Sequence, residues 1–304
     1  MVQNSNKIVE VKQVKFLSSD VNCSGDLYLP QNKELLPIII MAHGLGGTRN
    51  MRLPAYAERF SAAGYACLLF DYRSFGDSEG SPRQIININN QLEDWISAVN
   101  YVRELEKIDP SKVILWGSSF SGGHVLSIAS EDKNIVAVIA QGLFTDGIAS
   151  SLSTEPLVSI KLGTLGVIDR LGSLLGAKPI MIPVVGRAGE TALMTAPDAY
   201  DGYFSLIPEG ANVINLAAAR VALDILSYQP GKKVIKIKAP VLFQVCNKDS
   251  VAPAKQTLKY ARKTSNKEIK QYDYGHFEIY TGGAFENLVS DQLEFLSCVA
   301  PISS

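Results

Sequence analysis

One apolar run constrains the fold of this chain more than any other feature. The segment Pro37–Ala42 is apolar throughout and leads directly into the glycine-rich segment His43–Gly47. A strand without polar positions must be covered on both faces, which is typical of a parallel strand whose sheet has helices on either side. The run therefore predicts an α/β architecture.

Strand-like and helix-like segments alternate along most of the chain, and this alternation predicts βαβ units. The expected strands are Gln13–Leu17, Asp26–Leu29, Pro37–Ala42, Tyr65–Phe70, Val113–Trp116, Ile135–Ala140, Val241–Val245 and Glu268–Tyr272. The expected helices are Leu53–Ala63, Gln91–Glu106, a helix from about Phe120, Pro253–Arg262 and Ala284–Ser297. We predict a mostly parallel eight-stranded sheet flanked by helices, with a hairpin at its start.

The alternation stops between about Gly147 and Ile237. Two helix-like stretches, about Pro156–Ala177 and Ala211–Tyr228, lie here, and a structureless loop of this length is implausible in a compact domain. We predict a mainly helical cap at residues 147–238, inserted after the sixth strand between core parts 1–146 and 239–304. Apolar side chains of the first stretch either line a pocket over the site, pack the cap onto the core, or mediate oligomerisation in a possible homodimer.

The segment Gly117–Gly123 follows an expected strand directly and opens an expected helix. This context is the one that a nucleophile elbow requires, with small residues around a strained nucleophile and a helix N-terminus at the site. We predict Ser119 as the nucleophile. Ser121 gives a second possible frame, but it would already lie in the helix, whereas Ser119 falls at the turn.

Two places are expected to supply backbone N–H groups to an oxyanion. The glycines of His43–Gly47 let that loop turn close to the nucleophile, and the residue after the nucleophile begins the helix. We therefore predict Leu45 and Phe120 as the oxyanion-hole residues. His43 is expected to hold its loop through ring hydrogen bonds rather than to act as a base.

An acid and a base are expected at the carboxyl ends of two later strands, where open α/β sheets build their sites. Asp249 and His276 each follow such a strand. Of the three histidines, His43 lies in the loop and His124 is expected to point into the packing behind the elbow. His276 is therefore the predicted base. Asp249 is the predicted acid, and Asp146 is its rival.

Composition excludes several classes of partner. The formal net charge is -1 and no basic stretch interrupts the chain, so neither nucleic acid nor an anionic membrane surface is expected. No apolar run is long enough to span a membrane, and Met1–Glu10 lacks the pattern of a secretory signal. Cys67 and Cys246 lie in apolar runs that are expected to be buried, and the cysteines have no metal-ligand spacing, which suits a reducing compartment. We expect a cytoplasmic protein that needs no metal or cofactor.

Several motifs together resemble a known family. The segments His43–Thr48, Asp71–Gly80, Gly117–Gly123 and Gly275–Phe277, with Asp249, are similar to the α/β-hydrolase superfamily. They most resemble its X-Pro dipeptidyl-peptidase-like or serine-aminopeptidase-like branch, which also includes esterases and fungal polyketide thiohydrolases. The resemblance covers about residues 7–144 and 239–300. It implies the catalytic machinery, whereas the cap has no recognisable motif. Asp71 and Arg73 are expected to form a structural pair under the site.

These residues predict a serine hydrolase that cleaves a carboxylic ester or thioester with an apolar acyl group through an acyl-enzyme intermediate. The expected partner is a small-molecule acyl substrate. A peptidase or an acyltransferase with the same triad is the alternative. A non-catalytic binding protein of the same fold is a third hypothesis, which the complete set of residues argues against.

Overall fold

A computed structural model describes residues 9–31, 34–152, 155–211 and 213–302 of the 304-residue chain. The strands are β1 (Val9–Ser18), β2 (Val21–Pro30), β3 (Leu36–Ala42), β4 (Ala66–Phe70), β5 (Ile108–Ser118), β6 (Ile135–Gln141), β7 (Met181–Ile182), β8 (Ala217–Ala218), β9 (Val241–Cys246) and β10 (Lys267–Tyr272). The helices are α1 (Leu53–Ala63), α2 (Ile88–Arg103), α3 (Phe120–Glu131), α4 (Gly147–Ser151), α5 (Pro156–Leu174), α6 (Ala199–Ser205), α7 (Val221–Ser227), α8 (Ala254–Ala261) and α9 (Gly282–Val299). Most of the segment Met1–Glu10, which is expected to lack a secretory signal, lies outside the described residues.

Eight strands form one sheet in the order β1-β2-β4-β3-β5-β6-β9-β10. The pairs β1–β2 and β2–β4 are antiparallel, and the remaining pairs are parallel. The predicted α/β fold with a mostly parallel sheet is therefore confirmed. The opening hairpin is longer than expected, because β1 and β2 pair along all ten residues of each strand.

The centre of the sheet is the hydrophobic core. Every residue of β3, β4 and β9 is buried, as the absence of polar alternation predicts for parallel strands that have helices on both faces. The carboxyl ends of β5, β9 and β10 lie at one edge of this sheet, since these strands run in the same direction. Residues that follow these strands are thereby brought together.

Between β6 and β9, the chain forms α4 to α7 and the two-stranded ribbon of β7 and β8. The first expected helical stretch is present as α5. The second, Ala211–Tyr228, is wrong as a continuous helix, because Ala217–Ala218 pairs with Met181–Ile182 and the helix begins only at Val221. The boundaries of a cap at residues 147–238 stay a prediction.

The apolar residues of α5 divide between a buried face and an exposed face of the helix. Val158 and Leu162 are buried, but most of the other large apolar side chains on this helix face solvent. These are Leu157, Ile160, Val167, Ile168, Leu171 and Leu174, with Leu175 directly after the helix. Leu162 lines a second cavity beside the one at Ser119, whereas the exposed side chains line neither, so the apolar periodicity of α5 supplies two opposite faces of the helix.

The expected pair of Asp71 and Arg73 is also wrong. Asp71 is buried and binds the Arg49 guanidinium and, at 2.7 Å, the Arg49 backbone N–H. Arg73 instead binds Asp94, with 2.7 Å between Nε and the carboxylate. Asp71 and Arg73 are two residues apart, and each pairs with a residue from a different distant segment.

Candidate active site

The turn between β5 and α3 places Ser119 in a strained backbone conformation. Its φ is 57° and its ψ is -122°, which lies in a region that L residues rarely occupy and that costs about 1–3 kcal/mol. Long-range hydrogen bonds hold the turn: Ser119 N–H donates to Gln141 O over 3.0 Å, and Phe144 N–H donates to Ser119 O over 2.9 Å. The strain is therefore maintained by the neighbouring strand β6.

Glycines surround this turn because a side chain would have no room there. A Cβ at Gly117 would lie 2.4 Å from the carbonyl oxygen of Ser121. A Cβ at Gly44, in the loop after β3, would lie 2.8 Å from Ser119 Cβ and 3.2 Å from its Oγ. The glycine-rich loop therefore touches the serine itself, as predicted from its position after the strand.

Three predicted site residues come together at the carboxyl edge of the sheet. His276 Nε2 lies 2.9 Å from Ser119 Oγ, and His276 Nδ1 lies 2.8 Å from Asp249 Oδ2. The histidine and aspartate side chains are almost completely buried. The other carboxylate oxygen of Asp249 accepts hydrogen bonds from the backbone N–H groups of Val251, at 2.9 Å, and Ala252, at 2.6 Å.

This arrangement fixes the protonation pattern of the imidazole. A carboxylate can only accept a hydrogen bond, so Nδ1 of His276 carries the proton that it donates to Asp249. Nε2 then presents its lone pair to the hydroxyl of Ser119. Nucleophilic catalysis by a serine requires a hydrogen-bond pattern of this kind, in which a base accepts the hydroxyl proton and an acid orients the base.

The rival residues occupy other positions. Ser121 lies inside α3, is fully buried, and accepts a hydrogen bond from the Tyr72 hydroxyl over 3.1 Å. Asp146 is the N-cap of α4 and accepts a 2.8 Å hydrogen bond from the Tyr260 hydroxyl. Burial alone would raise the pKa of Asp146, but its hydrogen bonds lower it below the usual value. Neither residue contacts His276 through any bond that the structure shows.

The remaining histidines are buried and neutral. His124 accepts or donates at both ring nitrogens, 2.8 Å from the Tyr228 hydroxyl and 2.9 Å from Gln91 Oε1, and burial lowers its pKa to about 3. Burial likewise lowers the pKa of His43 to about 4. The ring nitrogens of His43 have no partner of normal geometry among the described residues, although the backbone of Gly44 and Met51 lies close enough to the ring to counteract part of this decrease in pKa. The expected hydrogen bonds within its loop therefore stay a prediction. The His43 ring stacks on Tyr280.

A cavity opens beside Ser119. Counted together with the open solvent at its mouth, this space measures about 670 Å³. Leu45 and Phe120 line it next to Ser119, and none of the described lining residues is charged. The remaining lining residues are Phe144, Ser150, Ser151, Leu193, Met194, Thr195, Ala196, Ile225, Ser250, Val251 and Ala252.

The backbone N–H groups of the predicted oxyanion donors, Leu45 and Phe120, have no hydrogen-bond partner among the described residues. Phe120 is the first residue of α3, and the first N–H groups of a helix have no partner within it. The N–H of Leu45 makes no hydrogen bond to another described residue. Both residues border the space into which Ser119 opens, so that an oxyanion could bind there.

Sequence reasoning missed the residues that tie the segment after β6 to this site. The Tyr203 hydroxyl, on α6, donates to Gly46 O over 2.9 Å and so holds the loop that contains Leu45. The Ser250 hydroxyl, next to Asp249, donates to Asp198 over 2.5 Å. Only pairing across the tertiary structure reveals these contacts, because the residues have no motif of their own.

The described residues contain no group of three or more His, Cys, Asp or Glu side chains placed to hold a metal ion. None of the described helices combines the length and the apolar character needed to cross a membrane.

Known proteins resemble the chain along almost its whole length. The family model described as X-Pro dipeptidyl-peptidase (S15 family) matches residues 21–169. The quorum-quenching protein AidA of Acinetobacter baumannii is 57% identical over 95% of this chain and 95% of its own. A thiohydrolase of Aspergillus aculeatus is 25% identical over 94% of this chain and 93% of its own.

A solved structure with the same fold is that of the α/β hydrolase GrgF of Penicillium sp. It superimposes with a TM-score of 0.81 at 25% identity, covering 96% of this chain and 100% of the other. The corresponding curated protein is named a polyketide transferase. With the sheet order, the elbow geometry and a relative at 57% identity, these similarities establish that the chain belongs to the α/β-hydrolase superfamily.

Proposed function

We propose that this protein is a serine hydrolase that cleaves a carboxylic ester or thioester with an apolar acyl group. The observation that carries the proposal is the continuous chain of hydrogen bonds Ser119–His276–Asp249, with 2.9 Å and 2.8 Å between the bonded atoms, at the wall of an uncharged cavity. Ser119 acts as nucleophile, His276 as general base and Asp249 as the acid that orients it.

Acylation begins with attack of Ser119 Oγ on the acyl carbon. His276 Nε2 takes the hydroxyl proton, and the buried carboxylate of Asp249 stabilises the resulting imidazolium. The N–H groups of Leu45 and Phe120 bind the oxyanion of the tetrahedral intermediate. When this intermediate collapses, the bond to the leaving oxygen or sulfur breaks, and the alcohol or thiol takes its proton from Nε2.

Deacylation repeats these steps with water. His276 Nε2 removes a proton from the water molecule that attacks the acyl carbon, and the same two N–H groups bind the second oxyanion. Collapse releases the carboxylic acid, and Ser119 Oγ regains a proton from Nε2. The protein therefore returns to its starting protonation state without any cofactor in the cycle.

The cavity supports an uncharged acyl group over a peptide terminus. Leu45, Phe144, Leu193 and Met194 are among its apolar lining residues, whereas a free peptide amine or carboxylate would need a buried partner of opposite charge. The names of the Aspergillus and Acinetobacter relatives support thioesters and small signalling molecules as substrates to test. Transfer of the acyl group to an acceptor other than water is the second candidate function, supported by the name of the Penicillium relative.

A panel of p-nitrophenyl esters and acyl thioesters of increasing acyl length tests the proposal. We expect Ser119→Ala to lower kcat/KM by roughly 10³–10⁶-fold. The matched control is Ser121→Ala, two residues away in α3, which should keep most of the activity. A fluorophosphonate probe should label Ser119 in the wild type. Full activity in Ser119→Ala, or label on Ser121, would show that the nucleophile is wrong.

We further infer a reducing, cytoplasmic environment for the chain. All four cysteines are free thiols, and Cys23, Cys67 and Cys246 are buried in the core. Burial raises the pKa of the Cys67 thiol to about 12, so that this residue is an unreactive apolar side chain at neutral pH. Labelled thiol counts in protein purified without reductant should remain at four; a loss of free thiols would contradict the inference.

A further inference from the structure

Helix α5 is apolar on two opposite faces. The inner face buries Val158, Leu162, Gly166 and Asp169, and Asp169 is bonded to Arg220 over 2.7 Å. The outer face is a stripe of seven large apolar residues that are between 47% and 87% exposed: Leu157, Ile160, Val167, Ile168, Leu171, Leu174 and Leu175. A helix that is hydrophobic all round is normally buried all round, whereas the outer stripe is left uncovered by the part of the chain that the structure describes.

The spacing within this outer stripe is that of a coiled-coil seam. Leu157, Ile160, Thr164, Val167, Leu171 and Leu174 follow one another at alternating intervals of three and four residues. Such a repeat occupies the a and d positions of a heptad, which form the narrow contact line between two paired helices. A helix that only needed to cover a core would not require this repeat on its solvent side.

The size of the stripe exceeds what a monomer normally exposes. Its seven side chains present on the order of 800 Å² of accessible surface, whereas the largest patch on a typical monomer is about 300–600 Å². A specific interface of standard size buries roughly 800 Å² on each partner. The stripe alone therefore supplies the area that one side of a dimer interface needs.

The charges at the ends of α5 favour an antiparallel pair of identical helices. Glu155 and Lys178, both exposed, flank its N-terminal and C-terminal ends respectively. An antiparallel arrangement brings Glu155 of one copy near Lys178 of the other, whereas a parallel one opposes like charges. It also places each helix N-terminus beside the other's C-terminus, which opposes their macrodipoles favourably.

We propose that two copies of this chain associate through α5 in an antiparallel pair related by a two-fold axis. In this pairing the layers are Leu157 with Leu174, Ile160 with Leu171, and Thr164 with Val167, each occurring twice. The interface is isologous, as in most homodimers. The second copy is favoured over a lipid surface because α5 carries only two positive charges, Lys161 and Arg170, and Arg170 is paired with Asp224, whereas membrane-surface helices carry many.

Sedimentation velocity across micromolar concentrations tests the association. We expect the wild type to sediment at twice the chain mass of 33.0 kDa. Leu171→Glu places a carboxylate against Ile160 of the second copy and should weaken the dimer by about 100-fold or more. The matched control, Ile235→Glu, introduces the same charge at a site that is 64% exposed outside the stripe and should remain dimeric. Circular dichroism checks that both variants fold.

Cysteine crosslinking tests the antiparallel register. In a Cys298→Ser background, the pair Leu157→Cys and Leu174→Cys should form intermolecular disulfides, since these positions share a layer. Each single variant should not, because copies of one position lie about 25 Å apart at 1.5 Å per residue. The same separation prevents a bond within one helix.

Three outcomes would overturn the proposal. The first is a wild type that is monomeric at every concentration. If this monomer also floats with vesicles of phosphatidylcholine and phosphatidylglycerol, the stripe binds a lipid surface instead. The second is a dimer that Leu171→Glu leaves intact. The third is a crosslink in the single variants, which would indicate a parallel pair.

Discussion

Asp249→Asn isolates the role proposed for the acid. In the folded protein one carboxylate oxygen of Asp249 accepts two backbone N–H groups, at 2.9 Å and 2.6 Å, and the other lies 2.8 Å from His276 Nδ1. Asparagine has nearly the same shape, but one of its two terminal atoms is a donor. The two backbone donors require the amide oxygen, so the NH₂ group must face His276.

The consequence is a change of tautomer. Nδ1 of His276 then accepts a hydrogen bond, which moves the ring proton to Nε2 and removes the lone pair that faces Ser119 Oγ. In serine proteases this same substitution lowers kcat by roughly 10⁴-fold, which corresponds to about 5.5 kcal/mol in the activation free energy. We expect a loss of similar size in kcat/KM, with little change in the melting temperature.

The assay is steady-state hydrolysis of a short p-nitrophenyl ester, with Asp146→Asn as the matched control. Asp146 follows the neighbouring strand β6 and accepts a hydrogen bond from Tyr260 rather than from His276. The Asp146→Asn variant should therefore retain activity. An Asp249→Asn enzyme within tenfold of the wild type, or a larger loss in Asp146→Asn, would refute the assignment of the acid.

Two further predictions concern stability and substrate length. Because burial lowers the pKa of His43 to about 4 and of His124 to about 3, the unfolded chain binds protons that the folded chain does not between about pH 6.5 and 4. The free energy of unfolding should therefore decrease as the pH is lowered, and at pH 5 it should be lower than at neutral pH by on the order of 2 kcal/mol per histidine. A melting temperature that is the same at pH 7.5 and pH 5 would contradict this. Leu193 lines both the cavity at Ser119 and a second cavity beside it, so Leu193→Ala should shift the preferred acyl chain to a greater length. The exposed control Val11→Ala should not, and an unchanged profile in Leu193→Ala would place the acyl group elsewhere.

The sequence by itself determined the fold and brought the predicted site residues into view. A strand that is apolar at every position, such as Pro37–Ala42, can be predicted to be buried on both faces from its composition alone. The nucleophile elbow Gly117–Gly123 is equally local, because the turn excludes side chains from neighbouring positions. The proximity of Asp249 and His276 could be predicted because parallel strands that run in one direction end at the same edge of a sheet.

Only the tertiary structure decided which distant groups meet. Asp71 binds Arg49 rather than Arg73, since the partner of a buried charge depends on how separate segments pack. The periodicity of α5 predicted a helix, but a helix that is apolar on two faces does not reveal which face is covered. Its inner face packs through Val158 and Leu162, and its outer face remains exposed. Local sequence thus sets the elements and their ends, whereas contacts between elements depend on the geometry of the whole chain.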